Sequence, residues 1–146
     1  MIDWPLNPDE ENLLCEAAQT ARENAYAPYS NFRVGAALKC EGGRIFTGCN
    51  VENASYGLCL CAERVAVGSA VAAGALKFEG IAIMTASRPP SPPCGMCRQV
   101  LSEFRKDLPV ILMNDSGEKE RLDLSTLFPS SFDHRLLQAG VDKSRS

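Results

Sequence analysis

Two short cysteine motifs, Cys61-Ala62-Glu63-Arg64 and Pro93-Cys94-Gly95-Met96-Cys97, restrict this chain more than any other feature of it. Each stands where a loop gives way to a helical pattern. Loop residues run from Asn50 to Leu60, and a stretch rich in alanine and valine follows Cys61. Pro93 suits a first helical turn, so Cys94 opens a second helix and Cys97, three residues on, shares its face. Taken alone, Cys94 and Cys97 fit a disulfide, a redox couple or part of a metal site. Taken with Cys61, they call for a fold that brings two helix starts to one point. The edge of an α/β sheet does this, because strand ends and helix starts meet there.

The rest of the pattern agrees. Asn7 can cap a helix over 8–26, with acids in its first turn and Leu13, Leu14, Ala17, Ala18 and Ala21 at helical spacing. The stretch 27–31 breaks it. Alternation predicts strands over 32–40 and 44–48, joined as a hairpin by Gly42-Gly43. A buried helix is expected over 61–73, a strand over 80–86, a proline-rich loop over 87–93, a helix over 94–106 and a strand over 108–114. Residues 121–128 suit a short strand edge and a short helix, and the tail after about 140 reads as loose. Strands alternating with helices imply one α/β domain over 1–146, with a partly parallel sheet covered on both faces.

Composition narrows the function. A net charge of −3 with no basic run gives no footprint for a nucleic-acid polymer. The N-terminal stretch carries four acids and no apolar core, so it does not read as a secretory signal. Val65 to Leu76 is too short to span a bilayer. The expected location is therefore cytoplasmic. There the seven cysteines stay reduced, which favours metal or thiol chemistry over structural bridges.

Three thiols converging at helix N-termini are held as thiolates by the dipole and the free amides. With water in a fourth position they make a tetrahedral zinc set of catalytic type. Glu63 is too close to Cys61 to be an easy fourth ligand, yet near enough to exchange protons with that water. Arg64 falls on the face of Cys61, where a guanidinium would offset the surplus negative charge. Cys59, two residues before Cys61, is a competing candidate ligand, although an extended C-x-C would aim it away from the direction of Cys61. Asn50 and Glu52, two residues apart, share one side of an extended segment. A cysteine or histidine two before a glutamate, followed by P-C-x-x-C, is the pattern of the zinc deaminases.

The chain resembles the cytidine deaminases, in their small homotetrameric class with a three-cysteine zinc site. Besides the two cysteine motifs, the likeness rests on Tyr26-Ala27-Pro28-Tyr29-Ser30, Phe32 to Leu38, Gly43 to Ala54, Arg98-Gln99 and Leu127 to Phe132. The resemblance implies a three-layer α/β/α sandwich around a mixed five-stranded sheet. It implies one zinc per subunit on Cys61, Cys94 and Cys97, Glu63 as proton shuttle and Arg64 as charge compensation. Phe32 would pack on the base, Asn50 and Glu52 would hold the ribose 3′-hydroxyl, and the Ala54 amide would meet the base carbonyl. Tyr56 would lie at the rim, and Phe132 would close the site of a neighbouring subunit. The implied reaction is hydrolytic deamination of cytidine and 2′-deoxycytidine, a step of pyrimidine salvage. One departure is Pro92, where relatives often carry serine or threonine; its carbonyl is expected to receive the leaving amine. Rival readings are a deaminase of another aminopyrimidine such as blasticidin S, a non-catalytic zinc module with a fourth ligand, and a metal-free thiol oxidoreductase.

Overall fold

The computed structural model describes residues 3–142. Helix α1 (Pro8–Arg22) starts at a capping box: the Asn7 side chain accepts from the Glu10 amide, and the Glu10 carboxylate accepts from the Asn7 amide. Then come β1 (Gly35–Cys40), β2 (Ile45–Cys49), α2 (Ala62–Ala72), β3 (Phe78–Thr85), α3 (Gly95–Phe104), β4 (Pro109–Asn114), β5 (Lys119–Asp123), α4 (Leu124–Leu127) and α5 (His134–Ala139). The five strands form one sheet in the order β2-β1-β3-β4-β5. Only β3 and β4 pair in parallel; the other pairs are antiparallel.

Period-two alternation sorts the side chains of the sheet into two layers. Ala36, Leu38, Ile81, Ile83, Val110 and Leu112 meet Ala62, Ala66, Val67 and Ala70 of α2 and Leu101 of α3. Ala37, Ala82, Met84, Ile111 and Met113 meet Leu14, Cys15 and Ala18 of α1 on the other face. The result is a three-layer α/β/α sandwich, as the resemblance implies. On the α1 face a buried carboxylate ties the layers. Glu11, 3% exposed, accepts from Trp4 Nε1 at 2.9 Å, Lys119 Nζ at 3.1 Å and Arg121 Nε at 2.9 Å.

Two glycines set how closely the helices lie on the sheet. A Cβ at Gly35 would fall 2.1 Å from the Ala18 carbonyl oxygen, in the backbone of α1. A Cβ at Gly48 would fall 2.3 Å from the Ala62 carbonyl oxygen and 2.5 Å from the Ala66 amide. The first turn of α2, which carries the Cys61 motif, therefore rests on bare backbone of β2.

Several boundaries differ from the sequence reading, each for a tertiary reason. Helix α1 stops at Arg22 rather than at 26, because the Tyr26 amide bonds the Asn50 carbonyl and the Tyr26 carbonyl accepts from Glu52. Strand β1 begins at Gly35, not 32. The Asn50 side chain takes the place of a neighbouring strand there, accepting from the Val34 amide at 2.8 Å and donating to the Phe32 carbonyl at 2.7 Å. Helix α2 is buried on one face only; Gly68, Ser69, Val71 and Ala72 are exposed. Helix α5 was not anticipated. Asp133 caps it by accepting from the Arg135 and Leu136 amides. Residues 143–146 of the tail expected to be loose lie outside the described residues. Among the described residues, no helix is long and apolar enough to cross a membrane.

Candidate metal centre

Both N-cap positions at this edge of the sheet are cysteines. Cys61 precedes α2 and Cys94 precedes α3, each with extended backbone and with no side-chain hydrogen bond to its own helix. Their sulfurs are thus free to face each other, 3.7 Å apart. Cys97, one turn into α3 and fully buried, completes the set, and all three Sγ atoms lie within 4.8 Å of one another. A Zn–S bond of about 2.3 Å in a tetrahedral site separates sulfurs by about 3.8 Å, so the donor set fits zinc in both type and spacing. Among the described residues, no fourth cysteine, histidine or carboxylate joins the cluster.

Glu63 sits in the first turn of α2, 5% exposed, with Oε2 3.6 Å from the Cys97 sulfur. Burial, reinforced by the Cys61 charge, holds its pKa above the usual carboxylate range. Arg64 Nη2 donates to the Cys59 carbonyl at 3.1 Å and lies 3.8 Å from the Cys61 sulfur. Its buried Nε has no partner among the described residues. Hydrogen bonds from the Cys97 thiol and from Arg64 draw the Cys61 pKa down to about 5, against burial that opposes them. Cys97 moves the other way: the neighbouring Cys61 sulfur favours its thiol form, and burial beside Glu63 adds to this.

The three-sulfur corner opens into a cavity of about 300 Å³, small but within the range of ligand pockets. Phe32, Val34, Asn50, Glu52, Ile83 and Pro92 contribute to its wall. Glu52 is held by its own cradle: Oε1 accepts from the Tyr29 amide at 3.0 Å and the Ser30 amide at 3.1 Å, while Oε2 accepts from the Ser30 hydroxyl. These bonds, the Ser30 hydroxyl first, favour the carboxylate and lower its pKa. The Asn50 amide spends one donor and one lone pair on the backbone, which leaves one of each.

Not every residue singled out from the sequence reaches this cavity. Ala54 is exposed in the loop before Tyr56 and does not line it. Tyr56 is 72% exposed, edge-on to Tyr29 with ring centroids 5.8 Å apart. Phe132 is 55% exposed and away from the cavity; its carbonyl accepts from Gln99 Nε2 at 2.9 Å. Ser30, Thr85 and Ser91 help to shape the site, although the sequence reading assigns none of them a role in it. Ser30 left a faint signal, a serine in a turn two residues before Phe32, whose amide its hydroxyl accepts at 3.0 Å.

The family model for the cytidine and deoxycytidylate deaminase zinc-binding region matches residues 8–113. A cytidine deaminase of Sporosarcina psychrophila is 45% identical over 125 residues, 85% of this chain and 91% of that protein. A probable cytidine deaminase of Dictyostelium discoideum is 39% identical over 139 residues, 94% of each chain. The crystal structure of cytidine deaminase from Burkholderia pseudomallei superposes with a TM-score of 0.80 at 52% identity, covering 83% of this chain and 98% of the other.

Proposed function

The chain belongs to the cytidine and deoxycytidylate deaminase family, and from that premise we propose that it hydrolyses cytidine and 2′-deoxycytidine to uridine and 2′-deoxyuridine, releasing ammonia. The observation that carries this reading is the buried Glu63 carboxyl against a three-thiol corner that opens into a ligand-sized cavity. Cys61, Cys94 and Cys97 hold one zinc ion. When bound, zinc lowers the pKa of a coordinated water so that a nucleophile is available near neutral pH.

The remaining steps fall to the chain's own groups. Glu63 takes a proton from the attacking water and passes it to the ring N3 as C4 is attacked; it then takes the proton of the new C4 hydroxyl and delivers it to the departing amine, so that the C4–N bond breaks and the C4 carbonyl forms. Burial suits it to this work, because it brings the carboxyl's pKa toward the working pH. Arg64 offsets the excess negative charge of the thiolates. Pro92 lines the cavity, and its carbonyl accepts from the leaving amine. Phe32 packs on the base. Glu52 and the free donor and acceptor of Asn50 hold the ribose 3′-hydroxyl, and an analogue lacking it leaves those groups unpaired.

The assembly is a homotetramer in which Phe132 of one subunit closes the site of the next, with Tyr56 at the rim. Supporting this, Phe132, Tyr56 and the small apolar face of α2 are all uncovered in a single chain. Pyrimidine salvage in the cytoplasm is the matching role, since the three ligand thiols stay reduced there. A polymer substrate does not suit a site closed in this way, and a structural zinc module would need a fourth ligand. The test is to follow loss of cytidine ultraviolet absorbance with the zinc-loaded protein and with Glu63→Gln. Turnover by the wild type that collapses in the variant supports the reading. No turnover by folded, zinc-loaded protein sinks it.

A further inference from the structure

Of the three thiols at the metal corner, Cys94 is the exposed one; Cys61 is half-buried and Cys97 buried. It ends a long loop and has no hydrogen bond from its own side chain to α3. Its backbone is nevertheless gripped on both sides by one residue. The Arg98 amide donates to the Cys94 carbonyl at 3.0 Å, the first bond of the helix. The Arg98 side chain turns back and Nε donates to the Pro93 carbonyl at 2.8 Å. The two carbonyls flanking Cys94 thus converge on Arg98.

The other arm of the guanidinium reaches an anchor. Nη1 donates at 2.8 Å to the carbonyl of Leu127, the last residue of α4. A helix end leaves such carbonyls unpaired and welcomes a cation. Helix α4 is itself fixed to the core: Leu124 is fully buried and its amide bonds the Leu108 carbonyl at 2.9 Å. Pro93 is also fully buried. Arg98 therefore joins the peptide that delivers Cys94 to a rigid part of the core, with a planar fork that a lysine cannot reproduce.

We propose that Arg98 is a positioning residue for the metal centre, holding Cys94 as a ligand by tying the Pro93 carbonyl to the Leu127 carbonyl. This rests on the zinc reading above. Groups that orient ligands in this way cost about ten- to a hundredfold in metal affinity when removed. The neighbouring Gln99 supplies the control, because it bonds the same C-terminal segment at Phe132 without touching Pro93.

The experiment challenges zinc-loaded proteins with a chromogenic chelator and times zinc release, with no substrate present. Arg98→Met releases zinc about ten- to a hundredfold faster than the wild type. Arg98→Lys falls between them, and Gln99→Ala matches the wild type. Loaded with cobalt, Arg98→Met shows weakened thiolate-to-cobalt charge-transfer absorption, the signature of a loosened sulfur ligand; Gln99→Ala does not. Arg98→Met with wild-type release overturns the proposal, as does Gln99→Ala releasing zinc equally fast. A wild type that purifies without zinc overturns the metal reading as well, so the two failures are told apart.

Discussion

The floor and the rim of the cavity are built differently. The floor holds Cys61, Glu63, Cys94 and Cys97, from two helix starts packed on one sheet, and Glu63 and Cys97 are almost fully buried. The rim holds Phe32 at 43% exposure, and beyond it lie Tyr56 at 72% and Phe132 at 55%. Core packing dictates the floor: Gly48 lets α2 approach the sheet, and Arg98 fastens the Cys94 peptide. Among the described residues, nothing in a single chain covers the rim. The difference teaches that the metal corner is fixed by one chain's own packing, whereas in the function proposed above enclosure of the substrate falls to neighbouring subunits.

The largest effect should follow a change at the floor that leaves its shape intact. Glu63→Gln keeps zinc and fold and lowers kcat by about 10²- to 10⁴-fold, the share of a positioned proton carrier; steady-state kinetics beside a zinc assay checks it. A change beneath the floor acts through structure instead. Gly48→Ala forces a methyl against the Ala62 carbonyl, and overpacking of this kind costs about 1–3 kcal/mol. Denaturant melts and zinc retention should both register the loss. Between floor and rim, Glu52→Gln removes a charged acceptor, worth about 1.5–3 kcal/mol, from the sugar. Its kcat/KM for cytidine falls by about ten- to a hundredfold, with little change for an analogue lacking the 3′-hydroxyl. The smallest effect belongs to the rim. Phe132→Ala loses one aromatic contact, about 0.5–1.5 kcal/mol, and raises KM by about two- to tenfold at similar kcat. A Phe132→Ala effect as large as that of Glu63→Gln would erase the distinction between the two regions.

The same divide governs what the sequence disclosed. The floor was legible because metal chemistry demands particular residue types at particular spacings, and proline and loop signals put those residues at helix starts. The sheet was legible because Ala36 to Leu38, Ile81 to Met84 and Val110 to Met113 alternate between two cores. What escaped was set by distant partners. Residues 32–34 read as strand because the pattern alternates there, but their backbone is paired by Asn50, through its side chain and its amide, rather than by another strand. Helix α2 read as buried because its exposed face is made of small or apolar residues, Gly68, Ser69, Val71 and Ala72, with no charge to mark it as solvated. Arg98 stood beside the cysteine motif, yet the carbonyls it joins come from a loop and a helix end far apart in the chain. The cradle of Ser30 around Glu52 likewise spans 22 residues.

The most direct test of the division between floor and rim is subunit complementation. Glu63→Gln subunits keep Phe132 but have a dead floor; Phe132→Ala subunits keep the floor but lack the aromatic. Coexpressed, they should form mixed assemblies in which intact floors are closed by intact Phe132 residues from neighbours. The account predicts a fraction of sites with the wild-type KM for cytidine, which neither parent shows. Kinetics equal to those of the Phe132→Ala parent alone, diluted by inactive protein, would contradict it.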